Sequence, residues 1–213
     1  MTMSTASGMI RLLTVDDHPL LRDGIAAMIA NQPDMDLVAE AATGAEGIEK
    51  FRAFQPDVTL MDLRLPDMSG TDSILTIRKE FPSARIIVLT TYNGDIQAGR
   101  ALKAGAYGYL LKSMVRKELL ETIRAVHTGR RRIPAEIANG MAEHAIDDVL
   151  TNREIEVLKE VAAGNSNKIV ASNLSITEDT VKAHMKNVLA KLSANDRTHA
   201  VMIAMKRGFL DSC

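Results

Sequence analysis

One run limits the fold more than any other. Val58-Thr59-Leu60-Met61 is apolar at nearly every position, ends in a single acid at Asp62, and is followed by the chain breakers Pro66 and Gly70. A strand with one wet face would alternate. A run that is apolar on both faces suits the middle of a parallel sheet covered by helices. Asp62 then lies at the strand's carboxyl end, where open α/β sheets place their sites.

The chain around this run repeats the same grammar. Ile10 to Val15 reads as a strand ending at Asp16-Asp17. A helix follows from Pro19, with Leu21, Ile25, Met28 and Ile29 on one face, and Pro33 closes it. Leu37-Val38-Ala39 is a short strand, and Thr43 can cap a helix whose apolar positions are Ile48, Phe51 and Phe54. After the Asp62 strand come a helix marked by Ile74, Ile77 and Phe81 and a strand Ile86 to Leu89 ending at Thr90. A weakly apolar helix over Gly94 to Ala104 leads to a strand Tyr107 to Leu111 ending at Lys112. Leu119, Leu120, Ile123 and Val126 form the last stripe. Alternation of this kind predicts an α/β doubly wound, five-stranded parallel sheet with helices on both faces. Asp16, Asp17, Asp62, Thr90 and Lys112 should gather along one edge of it.

Carboxylates held close together repel unless a cation intervenes. Oxygen ligands with open positions suit Mg²⁺, and a metal ion beside a lysine is what a transferring phosphoryl group needs. Asp62 is thus a candidate nucleophile, Asp16 and Asp17 candidate metal holders, and Thr90 and Lys112 candidate contacts to phosphoryl oxygens. Taken singly these residues say little. An Asp-Asp pair is usually a loop or cap, a lone lysine is usually solvated, Tyr109 reads as half-buried packing, and His18 reads best as a first-turn residue. The joint spacing carries the functional reading.

From Gly129 the character changes. Arg130-Arg131-Arg132 is a basic run, a weak helix lies around Ala135 to Ala145, and the region reads as a linker. Four short helices follow. Thr151 and Glu154 form a capping box, with Ile155, Leu158 and Val161 buried behind it and Gly164 ending the helix. The central pair, about Asn167 to Leu174 and Thr177 to Leu192, is joined by a tight turn, with Ser175 or Thr177 as cap. That is helix-turn-helix geometry. Lys182 and Lys186 share a face of the second helix beside Ala183, and His184 adds polar reach.

The formal net charge is -1, so any nucleic-acid surface must be local. The single cysteine, Cys213, excludes a disulfide framework, and no apolar run approaches a membrane span. Residues Met1 to Gly8 read as a loose tail, and a cytoplasmic location is expected.

Val15-Asp16-Asp17-His18, Asp62-Leu63-Arg64-Leu65-Pro66-Asp67-Met68-Ser69-Gly70, Leu89-Thr90-Thr91 and Gly108-Tyr109-Leu110-Leu111-Lys112 together resemble the receiver domain of a two-component response regulator. The resemblance implies a flavodoxin-like receiver over 9–128 in which Asp62 accepts a phosphoryl group from a phosphohistidine of a sensor histidine kinase. It implies Mg²⁺ held by Asp17, Asp62 and the backbone carbonyl of Arg64, with Asp16 acting through water. It makes Thr90 and Tyr109 the switch pair, and it puts Arg64 and Tyr92 beside the phosphoryl site. Leu150 to Leu158 and Thr180 to Leu192 resemble the LuxR-type DNA-binding domain, here 149–213 after a linker over 129–148. The whole chain then resembles a NarL/FixJ-family response regulator. That implies Lys182, Ala183, His184 and Lys186 facing the major groove of double-stranded DNA, Thr180, Val181 and Asn187 near phosphates, and Ala200, Ile203 and Ala204 on a dimer-forming last helix. The departures are Leu65, Ser113 and Ile169, where methionine, proline and an acid are usual.

The expectation is a transcription regulator, not an enzyme, that forms a homodimer on activation and needs no membrane. An aspartyl-phosphate phosphatase is the first rival, and Arg64 stands where its second acid would be. The second is a phosphorylation-independent DNA-binding or dimerisation protein with a receiver-like domain.

Overall fold

The structure is a computed structural model and describes residues 8–91, 94–143 and 150–210. The leading tail, Tyr92, the end of the linker and Cys213 lie outside the described residues. The described residues fall into two compact units: one of 8–91 with 98–135, the other of 94–97 with 136–210.

The elements in chain order are β1 (Ile10–Val15), α1 (Pro19–Ala30), β2 (Met35–Ala41), α2 (Gly44–Phe54), β3 (Val58–Asp62), α3 (Gly70–Glu80), β4 (Ile86–Thr90), α4 (Asp95–Lys103), β5 (Gly108–Leu111) and α5 (Val115–His127). They continue with α6 (Ala135–Glu143), α7 (Asn152–Ala162), α8 (Asn167–Asn173), α9 (Glu178–Lys191) and α10 (Arg197–Arg207). All the strands pair parallel, in the order β2-β1-β3-β4-β5. Every residue of β3 and β4 is buried, as their unbroken apolar runs require.

Leu12, Val58, Leu60, Ile87 and Leu89 pack against Ile25 and Ile29 of α1 and Leu119, Ile123 and Val126 of α5. The alternate strand residues point to the other face, where Ile48 and Phe51 of α2 and Ile74 and Ile77 of α3 are also buried. Phe54, expected among the apolar positions of α2, is instead exposed, because it falls at the helix's last turn beyond the reach of the sheet.

The loop after β3 is shaped by contacts that only assembly creates. The Asp67 carboxylate accepts the backbone N–H groups of Gly44 (2.8 Å) and Ala45 (2.9 Å), capping α2 from a distant part of the chain. Ser69 caps α3 through Asp72 N. Gly70 lies so close to β3 that a Cβ would stand 1.9 Å from the Asp62 carbonyl oxygen.

The stretch expected as a linker is partly built. Arg132 pairs in parallel with Gly108 of β5, and α6 follows at Ala135–Glu143.

In the second unit Val157, Leu158, Val161, Val170, Val181, Met185, Val188, Leu192, Ala200 and Ala204 form one core. Thr151 and Glu154 close the expected capping box. Thr177, not Ser175, caps α9. Ala200 and Ala204 are fully buried in this core, so they are no surface for a second copy. Ile203 is partly buried, and the exposed large apolar residue of α10 is Met202. Among the described residues no helix is long and apolar enough to cross a membrane.

Two stability predictions come from these contacts. Gly70→Ala should lower the unfolding free energy by roughly 2 kcal/mol or more, since the β3–α3 loop must move off Asp62, and a denaturant titration measures it. Glu154 is buried and accepts Thr151 N (2.8 Å) and Lys191 Nζ (3.0 Å). Burial alone would push its carboxyl up, but these partners hold it below the ordinary glutamate range. Its contribution is therefore present above that ordinary range and lost as pH falls through the lowered folded value. Thermal unfolding should show Glu154→Gln less stable than wild type near neutrality, by about 1–3 kcal/mol, with the gap closing in acid.

Candidate functional site

The sheet order reverses beside β1, so the chain leaves β1 toward β2 on one side and returns to β3 on the other. That reversal opens a crevice at the strands' carboxyl ends. Asp16 and Asp17 follow β1, and Asp62 ends β3 directly alongside. Lys112 begins a 3₁₀ turn after β5, and Thr90 ends β4 one step beyond the Asp62–Leu89 pair. The residues expected to gather therefore do so.

Their contacts are short. Lys112 Nζ lies 2.6 Å from Asp62 Oδ2 and 2.8 Å from Asp16 Oδ2. Asp62 Oδ1 also accepts the backbone N–H of Arg64 at 3.2 Å. Asp16 is fully buried, Asp62 almost so, and Asp17 is partly open to solvent. Burial pushes the Asp62 carboxyl above the usual aspartate range, against the pull of Lys112. Burial works the other way on Lys112, but the two facing carboxylates override it and raise the ammonium's pKa. The ammonium thus faces two carboxylates at ion-pair distance.

His18 belongs to this cluster rather than being a plain first-turn residue. It is the N-cap residue of α1, yet its side chain makes no cap hydrogen bond. Its Nδ1 lies 2.7 Å from Asp17 Oδ1 and 3.1 Å from Asp16 Oδ1. Ligand atoms of Asp16, Asp17, His18 and Asp62 all fall within 4.8 Å of one another. That is the spacing and the mostly hard-oxygen chemistry a divalent cation accepts, so the residues present fit Mg²⁺.

Tyr109 is not half-buried. Its side chain is enclosed beside β4, burial raises its hydroxyl far above the usual tyrosine range, and its hydroxyl hydrogen-bonds Thr90. The two expected switch residues are thus in direct contact.

On α9 the side chains divide by face. Lys182, Ala183, Lys186 and Asn187 are exposed, and His184 and Thr180 are partly so. Val181, expected near phosphates, is instead fully buried in the domain core, and its amide is spent on Thr177 O. Lys182 pairs with Asp179 at 2.9 Å, an exposed contact of small worth. A cleft of about 300 Å³ beside this face is lined by Lys182, Lys186, Met185, Leu189, Asn167 and Arg197. The sequence reading missed Arg197, which lies in another helix and reaches the cleft only through the packing of α10. Its Nη2 donates to Asn165 O at 2.9 Å. Ile169 is exposed, so the position where an acid is usual is a surface one.

Residues 12–124 match the response regulator receiver domain, and residues 148–204 match the luxR family of bacterial regulatory proteins. The chain is 37% identical over 206 residues to the response regulator protein VraR of Staphylococcus saprophyticus, covering 94% of this chain and 99% of that one. It is 34% identical over 216 residues to the transcriptional regulatory protein LnrK of Bacillus subtilis, covering 94% and 98%. The crystal structure of the response regulator ChrA from a heme-sensing two-component system superposes with a TM-score of 0.56 at 32% identity, covering 95% of this chain and all of that one.

Removing the central cation tests the electrostatics. Lys112→Met should leave buried carboxylates without a counter-charge and raise the folded-state pKa of Asp62 further. The penalty is then largest where the acids are ionised and is relieved as pH falls and they protonate. Unfolding midpoints should drop more at pH near 8 than at pH near 5.

Proposed function

Because this chain belongs to the response regulators that join a receiver domain to a LuxR-type DNA-binding domain, we propose that Asp62 is the phosphoacceptor and that α9 carries the response to DNA. Such proteins regulate transcription and are switched by phosphorylation of the receiver. The observation that carries the assignment of Asp62 is its place in the crevice, 2.6 Å from the Lys112 ammonium and beside Asp16 and Asp17.

In this reading an Asp62 oxygen attacks the phosphorus of a kinase phosphohistidine. A P–O bond forms, the P–N bond breaks, and the imidazole, already protonated on its other ring nitrogen, leaves as the neutral base. Asp16, Asp17, Asp62 and the Arg64 carbonyl would hold Mg²⁺, which when bound offsets the charge of the acids and of the phosphoryl oxygens. Lys112 already faces the reacting carboxylate, so it needs little rearrangement to pair with a phosphoryl oxygen. Thr90 would turn its hydroxyl toward that group. Since Thr90 bonds Tyr109, the motion reaches the ring, and through it the β4–β5 edge of the sheet.

At the output end, α9 would enter the major groove of double-stranded DNA with Lys182, Ala183, His184 and Lys186, and Thr180 and Asn187 would lie near phosphates. Arg197 joins the basic rim. Phosphorylation would favour a homodimer reading paired half-sites. The protein would act in the cytoplasm.

The test is mass and oligomeric state after acetyl phosphate with Mg²⁺. Wild type should gain the mass of one phosphoryl group and Asp62→Asn should not. Asp17→Ala should need far more Mg²⁺ for the same yield. Wild type without an adduct would leave the phosphorylation-independent rival standing.

A further inference from the structure

The chain does not swing free after α5. Arg132 N donates to Tyr107 O at 3.1 Å, and Tyr109 N donates to Arg132 O at 2.9 Å, so the basic run is laid along the outer edge of β5. The Tyr107 ring then gathers two guanidinium groups, Arg131 at 5.6 Å and Arg78 at 5.9 Å from its centroid. Gly105 makes room for this: its φ is +108°, and a Cβ there would stand 2.7 Å from Arg78 Nε. Arg78 donates to Ala84 O at 2.9 Å, and Arg130 Nε to Thr128 Oγ1 at 3.3 Å.

No carboxylate among the described residues pairs with Arg78, Arg130 or Arg131, and the nearby Arg132 has only Glu121 at 3.6 Å. Solitary surface arginines are ordinary. Two held on one ring with a third next to them in the chain, none of the three paired with an acid, in a chain whose net charge is -1, make a local positive field. The ring contacts also restrict two of the side chains in advance, which lowers the entropy cost of binding. Guanidinium N–H edges match phosphate oxygens.

We propose that Arg78, Arg130 and Arg131 form a contact for the phosphate backbone of duplex DNA, adding affinity without reading sequence. The inference rests on the DNA-binding reading above. Duplex is the favoured polyanion because the same chain carries α9, so DNA held there stands at high effective concentration for this patch.

The test is fluorescence anisotropy of the full-length protein with a random-sequence duplex several helical turns long, titrated in NaCl from about 50 to about 200 mM. Arg130→Ala/Arg131→Ala should flatten the slope of log K against log salt by about 1 to 2, near 0.9 for each phosphate that is no longer neutralised. The charge-matched control Arg116→Ala/Lys117→Ala, on the exposed side of α5, should keep the wild-type slope. A wild-type slope in the first variant, or equal flattening in both, overturns the proposal. Failure of wild type to bind the duplex at any salt, both before and after acetyl phosphate with Mg²⁺, overturns the DNA-binding reading itself, and this inference with it.

Discussion

The ammonium of Lys112, held between the carboxylates of Asp16 and Asp62, is the interaction on which the receiver unit turns. Two acids buried at the end of a parallel sheet would otherwise repel across a medium that screens poorly. The lysine can occupy that place only because β5 ends where it does, two strands from β3, and the 3₁₀ turn folds its side chain back over the crevice. The sheet order, the strand lengths and the turn after β5 are therefore all conditions on one ion cluster. In the proposed reading a phosphoryl oxygen would take over from a carboxylate as the lysine's partner.

Around this centre the loop after β3 is held in place by groups that do no chemistry. Asp67 is tied to the N-terminus of α2, and Gly70 presses on the Asp62 carbonyl. Asp62 is thus fixed on its strand by backbone contact on one side and by the Arg64 amide donating to its carboxylate on the other, the kind of preorganisation that the proposed transfer would use. Tyr109 and Thr90 lie buried on the same edge, joined by a hydroxyl contact.

The helical unit works on a different balance. Its core is mostly aliphatic, and α9 spends Val181, Met185 and Val188 on that core while Lys182, Ala183, Lys186 and Asn187 face solvent. A short helix cannot assign all its residues to recognition and remain folded. The cations of α9 are joined by Arg197 and, on the receiver unit, matched by the arginines around Tyr107. Local clusters, rather than the nearly neutral chain, hold the positive charge.

Most of the fold was legible from one dimension. Apolar runs of strand length alternating with helical stripes determined the doubly wound sheet, and turn residues determined caps such as Thr43 and Thr151. The spacing of Asp16, Asp17, Asp62, Thr90 and Lys112 determined which residues would share an edge, because each ends a strand and parallel strands end together. What the sequence alone left open was decided by three-dimensional packing. Whether Val181 faces water or core, and whether Ala200 and Ala204 lie inside, depends on which way small helices rotate against one another. A small apolar residue suits either side. His18 joined the acids because, at the N-cap of α1, its side chain turns to Asp16 and Asp17 instead of capping the helix. Asp67, Gly70, Arg197 and the Arg78–Tyr107–Arg131 cluster owe their roles to contacts between residues far apart in the chain, and local periodicity carries no record of such contacts.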